Sequence, residues 1–467
     1  MSSPDQRVED ASFVARPSTL RAAALILALL LAPVVVRSYR IFRADWIVKV
    51  DETVVGYSRA LEIDPSNAVY WWYRGRLRHY TVGVVDIPRA AEDYRHALAL
   101  NPRLGQAWVD LADCYERLGE FGKAEDALDK ALAVRTYSPV IRWQAGNYFL
   151  RRANLPRMYE CFRVTSQYDI QKLGIAMQTA WKVDPDRARI LERLIPDTLE
   201  ANLRYMVFLV ERNELDLALA AWQRSLRNEP APESAYKVLV CFALIDRLLA
   251  RERVDDALQV WDQALQKAGT GLRDTRAPGT NADAKRPRDT NLVWNGSFER
   301  EILQGGFDWR YPGSSSVQIR TDLNNTLEGL KCLRVSFGGG NLSFSGLSQI
   351  VPVPAPGAYL LEFYLRSEGL TTDQRPYCAI QGYPNAGGAS LRTELFPAST
   401  QWQKISNTFV VKEDCRAVEL TLRRDPSSKF DNEIKGSLWL DAITIRPIDD
   451  ARTGAAPASS TGKRARR

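Results

Sequence analysis

The spacing of hydrophobic and polar positions along this chain changes once, near residue 291. Upstream, apolar and small residues recur at helical spacing. The stretch "AWVDLADCYERLGEFGKAEDALDKAL" puts Trp108, Leu111, Ala112 and Tyr115 on one helix and Ala124, Leu128 and Ala131 on the next. Downstream the period is two. In "AYLLEFYLRSEG", Tyr359, Leu361, Phe363 and Leu365 face one way and Glu362, Tyr364 and Arg366 the other. In "AVELTLRRD", Val418, Leu420 and Leu422 oppose Glu419, Thr421 and Arg423. Strands with one apolar and one polar face, separated by Gly, Pro and Asn turns, predict an antiparallel sandwich. The change falls at "LVWNGSFE", residues 292–299, which reads as the first strand of a separately folding part. Residues 268–290, rich in Gly, Pro, Thr and charge, read as the linker before it.

A third pattern lies near the N-terminus. "AAALILALLLAPVVV", Ala22 to Val36, is uncharged and apolar on every face. It is shorter than the ~20 residues that span a bilayer, but Leu20 extends it and Arg21 can snorkel to the interface. No A-x-A cleavage site follows, so residues 20–37 predict an uncleaved single-pass anchor, with a cleaved signal as the rival. Arg7, Arg16 and Arg21 precede the span and Arg37, Arg40, Arg43 and Lys49 follow it, too even a balance to set the orientation.

The helical half is repetitive. Trp108-x2-Leu111-Ala112-x2-Tyr115, then Ala124-x3-Leu128 and Ala131, follow a unit in which Trp71 and Gly75 open and Ala90-x3-Tyr94, Ala97 and Pro102 close. From Ala97 to Ala131 is a 34-residue step, whereas Pro65 to Pro102 is 37, which a longer turn around "TVGVVDI" would explain. Half a unit (Tyr57, Ala60, Pro65) precedes these, and Ala218-x3-Trp222…Pro230 and Ala257-x3-Trp261 read as two further second helices, while 139–200 is degenerate. This pattern resembles the tetratricopeptide repeat over about residues 50–267. The resemblance implies a solenoid in which stacked neighbours bury a shared core, with a protein or peptide partner on the concave face.

The β half carries "NGSFE", "GFDW", "EGLKCLRVSF", "SQIVPVPAPGAYLLEFYLRS", "WQKISNTFVV" and "LWLDAITIRP", in order across 291–447. This series resembles the jelly-roll carbohydrate-binding modules of galactose-binding-like type. The resemblance implies a structural Ca²⁺ held by acidic residues near the two chain ends, at the positions of Glu299 and Asp441. The alternation slips one residue at Asp441-Ala442, since Leu438 and Leu440 share a face and then Ile443 and Ile445 do, so a bulge there would re-aim the carboxylate. It also implies glycan binding. Trp309 and Trp402 match core positions of the family. The expected sugar surface is therefore Tyr377, Gln381 and Tyr383 of "YCAIQGY" together with Glu362, Tyr364 and Arg366; a solvated polar face is the plainer alternative.

Composition narrows the chemistry. The formal charge is +7, yet Lys and Arg concentrate only in "GKRARR" at the end of a tail over 448–467, so no nucleic-acid partner is expected. The six cysteines show no CxxC and no zinc spacing, leaving at most one bridge among Cys332, Cys378 and Cys415. His79 and His96 are the two histidines, both in the helical half, which excludes a His-based triad in the β half. The expected fold is multidomain, α then β: a tail (1–19), a transmembrane helix, a TPR-like α-solenoid, a linker and an antiparallel β-sandwich. The expected function is a non-catalytic, membrane-anchored scaffold in envelope polysaccharide assembly or export; the extracytoplasmic side is favoured for its soluble part, although the flanking charges leave the orientation open. A glycoside-active enzyme, which would need a paired acid and base, and a purely protein–protein adaptor remain as alternatives.

Overall fold

The computed structural model describes residues 17–227, 239–268, 291–311, 313 and 315–448. The tail up to residue 16, Pro230, the 269–290 segment and the basic tail beyond 448 lie outside the described residues. The chain forms two compact units, residues 1–196 and 197–467.

In the first unit, α1 (Pro17–Val50) is long and apolar enough over Leu25–Val50 to cross a membrane. It does not stop where the apolar run stops. Its last turns bury Ala44, which packs with Ala60 and Leu61 of α2 (Val54–Ile63) and Tyr70 of α3 (Ala68–Tyr80). Antiparallel pairs follow: α3 with α4 (Ile87–Leu100), α5 (Gly105–Arg117) with α6 (Phe121–Val134), and α7 (Pro139–Arg151) with α8 (Leu155–Tyr168). Side chains of Asn67, Asp86, Ser138 and Asn154 accept backbone N–H groups at helix starts, satisfying donors that a helix cannot satisfy itself. Six residues, 81–86, join α3 to α4, and three, 118–120, join α5 to α6. That difference accounts for the 37-residue step between repeats.

The pair α7–α8 is as regular as its neighbours, although its sequence signal is weak. The Trp71 and Trp108 indoles each donate to a proline carbonyl six residues back, Pro65 and Pro102, at 2.9 Å. The third repeat has Arg142 at this place, and its Nε donates to the Thr136 carbonyl, again six residues back, at 3.0 Å. An arginine thus does the indole's work, which hides the repeat from a search for tryptophan. The close helix contacts obey a size rule. A Cβ on Gly75 would sit 2.7 Å from the Tyr94 ring, and one on Gly146 would sit 2.5 Å from the Phe162 ring. The middle repeat places Ala112 and the smaller Leu128 at the corresponding positions. Gly146→Ala should therefore destabilise the fold by about 1–3 kcal/mol through overpacking. Adding Phe162→Leu should recover part of the loss, because it recreates the Ala112–Leu128 solution. Losses that simply add in urea unfolding would show that the two positions do not share this space. After α9 (Leu173–Val183), α10 (Arg187–Arg189) runs into a wide π-helical turn over Ile190–Leu194, where the repeat spacing is lost.

The second unit contains α11 (Leu199–Glu211), α12 (Leu215–Ser225), α13 (Phe242–Leu249), α14 (Val254–Ala268) and two antiparallel sheets. The strands are β1 (Val317–Asp322), β2 (Cys332–Gly338), β3 (Phe344–Pro352), β4 (Gly357–Glu368), β5 (Tyr377–Tyr383), β6 (Ser390–Arg392), β7 (Thr400–Val411), β8 (Ala417–Arg424) and β9 (Lys435–Pro447). Their order is β1-β2-β9-β4-β7 in one sheet and β3-β8-β5-β6 in the other. One core lies between them, built from Leu333, Leu361, Phe363, Ile380, Val418 and Leu440 among others. This is the expected sandwich, with the expected alternation along β4 and β8. All six cysteines are buried and free, so none is bridged.

"LVWNGSFE" is not a strand. The Asn291 side chain accepts the Val293 and Ile445 N–H groups, and Leu292 N–H donates to the Ile445 carbonyl, which hangs the segment on the end of β9. Asn295 and Phe298 take φ of 49° and 56°, left-handed conformations that end any extended run. The bulge expected at Asp441-Ala442 is present. Ala442 has φ 51°, and the β4–β9 register shifts between Glu362 and Tyr364.

Candidate functional site

The six residues expected to form one sugar surface are divided between the two sheets. Glu362, Tyr364 and Arg366 lie on β4 of the five-stranded sheet, and Tyr377, Gln381 and Tyr383 on β5 of the four-stranded sheet. Both strands turn their other face to the common core, so the two triplets point out of opposite sides of the sandwich. Period two correctly separated core from outer face, but it carries no information on which strands are neighbours. Two of the β5 residues, Tyr377 and Gln381, are also engaged by neighbouring side chains, whereas Tyr383 is half-buried. Tyr377 is only 5% exposed; its hydroxyl donates to Asp425, and the Arg392 guanidinium lies 4.0 Å from its ring centre. Gln381 Oε1 accepts from Arg423 at 3.0 Å. Burial is the first cause raising the Tyr377 hydroxyl above its usual pKa, followed by the Asp425 carboxylate.

The β4 triplet belongs to a richer surface. Across the outer face of the five-stranded sheet, Arg334 on β2 and Arg366 on β4 both pair in register with Trp439 on β9. Their guanidinium carbons lie 5.1 and 5.0 Å from the indole centre. The indole N–H donates to Asp322 Oδ2 at 2.8 Å, and Asn325 donates to the same oxygen while accepting from Arg366 at 2.7 Å. Burial opposes ionisation of Asp322, but the Trp439 N–H and the Asn324 and Asn325 donors outweigh it and hold the carboxyl at about 2. Tyr364 stands opposite Asp441 on one side and Lys404 on the other. Glu362 is ion-paired with Lys404 at 2.7 Å and with Arg446, and these partners lower its pKa. Gln318, Arg320, Lys404 and Ser406 on this face are exposed, so the surface is open to solvent.

Sequence reasoning missed Trp439, Arg334, Asp322 and Asn325. A signal existed for the first two: Trp439 alternates with Leu438 and Leu440, and Arg334 with Leu333 and Val335, which assigns both to the polar face. Trp402, set aside as core, is half-buried in a bulge where Gln401 and Trp402 together oppose Arg366, whereas Trp309 is buried in the core as expected.

Glu299 and Asp441 serve one loop, residues 323–331 between β1 and β2. Asp441 Oδ2 accepts the Leu327 and Glu328 N–H groups and its Oδ1 accepts that of Ala442, while Glu299 Oε1 accepts those of Leu330 and Lys331. Burial pushes the Asp441 carboxyl up to about 6 against these donors. A calcium ion takes six to eight oxygens. Here amide donors occupy the carboxylate oxygens, and no group of three or more His, Cys, Asp or Glu that could hold a metal occurs among the described residues. The donor set as folded fits a clamped loop rather than a cation cage.

The first unit offers a groove along its odd-numbered helices. Tyr80, Asp113, Glu116, Trp143, Asn147 and Arg151 line an open cavity of about 280 Å³. Arg151 donates to Glu116 at 2.9 Å, and buried His79 contacts Asp113 at 2.7 Å. Beside it, Asp110 accepts from the Trp72 indole at 2.8 Å; burial raises its pKa even against that bond.

Residues 86–136 match the family model of the tetratricopeptide repeat. No curated protein matches the chain. Among solved structures, the chain is similar to the carbohydrate-binding module TmCBM61 in complex with β-1,4-galactotriose. The two are 18% identical over 34% of this chain and 99% of that one, with a TM-score of 0.25. A family 16 carbohydrate-binding module is 20% identical over 33% and 99%, with a TM-score of 0.24. YrrB, a tetratricopeptide-repeat protein with an unusual peptide-binding site, is 17% identical over 45% and 91%, with a TM-score of 0.20.

Proposed function

We propose that this chain is a non-catalytic, membrane-anchored binding protein. Residues 50–267 hold a protein or peptide partner and residues 291–447 hold a glycan, in the assembly or export of an envelope polysaccharide outside the cytoplasm. The observation that carries the glycan reading is the outer face of the five-stranded sheet, where Arg334, Arg366, Asn325 and Tyr364 surround Trp439 on an open surface. Fixed donors and acceptors on rigid strands suit a ligand made mostly of hydroxyl groups, because little side-chain freedom is lost on binding. The repeat match over 86–136 and the groove beside it support the partner reading. The apolar helix α1 supports the anchor.

The test is calorimetric titration of the full-length chain in detergent with a panel of soluble oligosaccharides, in calcium and again in chelator. At least one glycan should bind. Tyr364→Ala should weaken that binding while changing stability by no more than about 0.5 kcal/mol, as expected of a surface position. A panel without a binder, or a Tyr364→Ala chain of unchanged affinity, would remove the function from this face. Affinity and melting temperature should not change in chelator, since loop amides occupy the Glu299 and Asp441 oxygens; a loss of either would restore the structural calcium that the resemblance implies.

A further inference from the structure

We propose that the glycan held by this face is acidic, and that it lies across the strands along a row of three arginines. This rests on the glycan-binding reading above and names its ligand class. The register defines the row. Arg320 on β1 stands directly opposite Arg334 on β2, Arg334 opposite Trp439 on β9, and Trp439 opposite Arg366 on β4. With neighbouring strands about 4.8 Å apart, the row runs about 14 Å, long enough for a short run of sugar rings.

Like charges set directly opposite each other destabilise a sheet. Arg320 and Arg334 are such a pair, and among the described residues neither has an ion-paired carboxylate. Arg366 has only Glu368, at 3.9 Å. Arg334 Nε is buried without a hydrogen-bond partner, and its Nη2 reaches a neutral group, Ser437 Oγ, at 3.2 Å. The carboxylates nearby are committed elsewhere: Asp322 to the indole and the Asn324 and Asn325 donors, Glu362 to Lys404 and Arg446, and Asp441 to the loop amides. The row therefore presents guanidinium groups in excess of acceptors. Trp439, 3% exposed, is too covered for a sugar ring to stack on it. It positions Arg334 and Arg366 in fixed places instead. A planar guanidinium matches a carboxylate or sulfate with paired hydrogen bonds. A neutral glycan laid on the same row would desolvate these charges without pairing them.

The experiment titrates the full-length chain in detergent, at fixed salt, with polygalacturonate, its fully methyl-esterified form, heparin and neutral β-1,4-galactan. The two polygalacturonate forms share a backbone and differ in charge; heparin separates a preference for sulfate from one for carboxylate. Arg334→Gln with Arg366→Gln should weaken acidic-glycan binding by about tenfold or more, the scale of one lost charge-assisted pair. Lys412→Gln with Lys429→Gln removes the same charge from elsewhere on the sandwich and should change binding by less than about twofold. Binding should also weaken as salt rises. Equal affinity for the esterified form, or preference for the neutral galactan, would overturn the acidic ligand and leave glycan binding standing. Equal losses in the two double variants would overturn the row, since only net charge would matter. Binding to none of the four, where another neutral glycan of the panel binds, also overturns this inference. Failure of every glycan overturns the parent reading with it.

Discussion

Trp261→Ala should lower the stability of the second unit by about 3–5 kcal/mol, the range for removing a large buried aromatic side chain. Trp261, on α14, is 3% exposed and packs edge-on against Trp294 and Phe307, with ring centres 5.4 and 6.0 Å away, and beside Phe242 of α13 at 5.6 Å. The chain makes room for it with glycine. A Cβ on Gly306 would lie 2.3 Å from the Trp261 ring, and one on Gly305 would lie 2.4 Å from Phe242. Arg310 with Asp246 at 2.5 Å and Arg416 with Asp255 at 3.1 Å tie further points of the sandwich to the same two helices. The sandwich thus covers an end of a helix stack that would otherwise expose apolar surface, which repeat arrays do not tolerate at their ends. The wild-type chain should unfold α13, α14 and the sandwich in one urea transition. The Trp261→Ala chain should unfold them in two, and protease should release the fragment after residue 290 intact. Separate transitions in the wild type would support the sequence reading of independently folding halves and count against this cap.

Asp441→Ala should cost about 3 kcal/mol or more, because it leaves three N–H groups without their acceptor at about 1 kcal/mol or more each. The affected donors are those of Leu327, Glu328 and Ala442. The consequence reaches the binding face, since Asn325 of the same loop accepts from Arg366. Glycan affinity should fall although Asp441 itself is buried. Asp441→Asn keeps one acceptor oxygen and should lose about half as much stability. Hydrogen exchange provides the direct readout: the Leu327 and Glu328 amides should lose protection in the alanine variant. Retained protection would mean that other contacts hold the loop.

Several features were legible because they are local. The small and aromatic residues within each regular repeat, the longer first turn, the alternation along β4 and β8 and the slip at Asp441-Ala442 each depend on residues a few positions apart in the chain. Where local signals failed, a substitution of equivalent chemistry or a competing bond intervened. Arg142 stands in for a tryptophan by making the same hydrogen bond, so the third repeat looked degenerate. The apolar run at Leu292–Val293 suggested a strand, but the Asn291 side chain bound the amides nearby and two left-handed residues turned the chain.

By itself, then, the sequence determined the period of the best-marked elements and therefore which side of each is apolar: the regular helical repeats, the two-faced strands β4 and β8 and an apolar N-terminal helix. Only the tertiary structure decided which strands lie side by side. That choice separates Tyr377, Gln381 and Tyr383 from Glu362, Tyr364 and Arg366 by the thickness of the sandwich. The same choice brings Arg320, Arg334, Trp439 and Arg366, drawn from positions 320 to 439, into one row. The physical reason is that side-chain direction along a strand is set by the backbone's own two-residue repeat, whereas strand neighbours are set by hydrogen bonds between distant segments competing to cover one core.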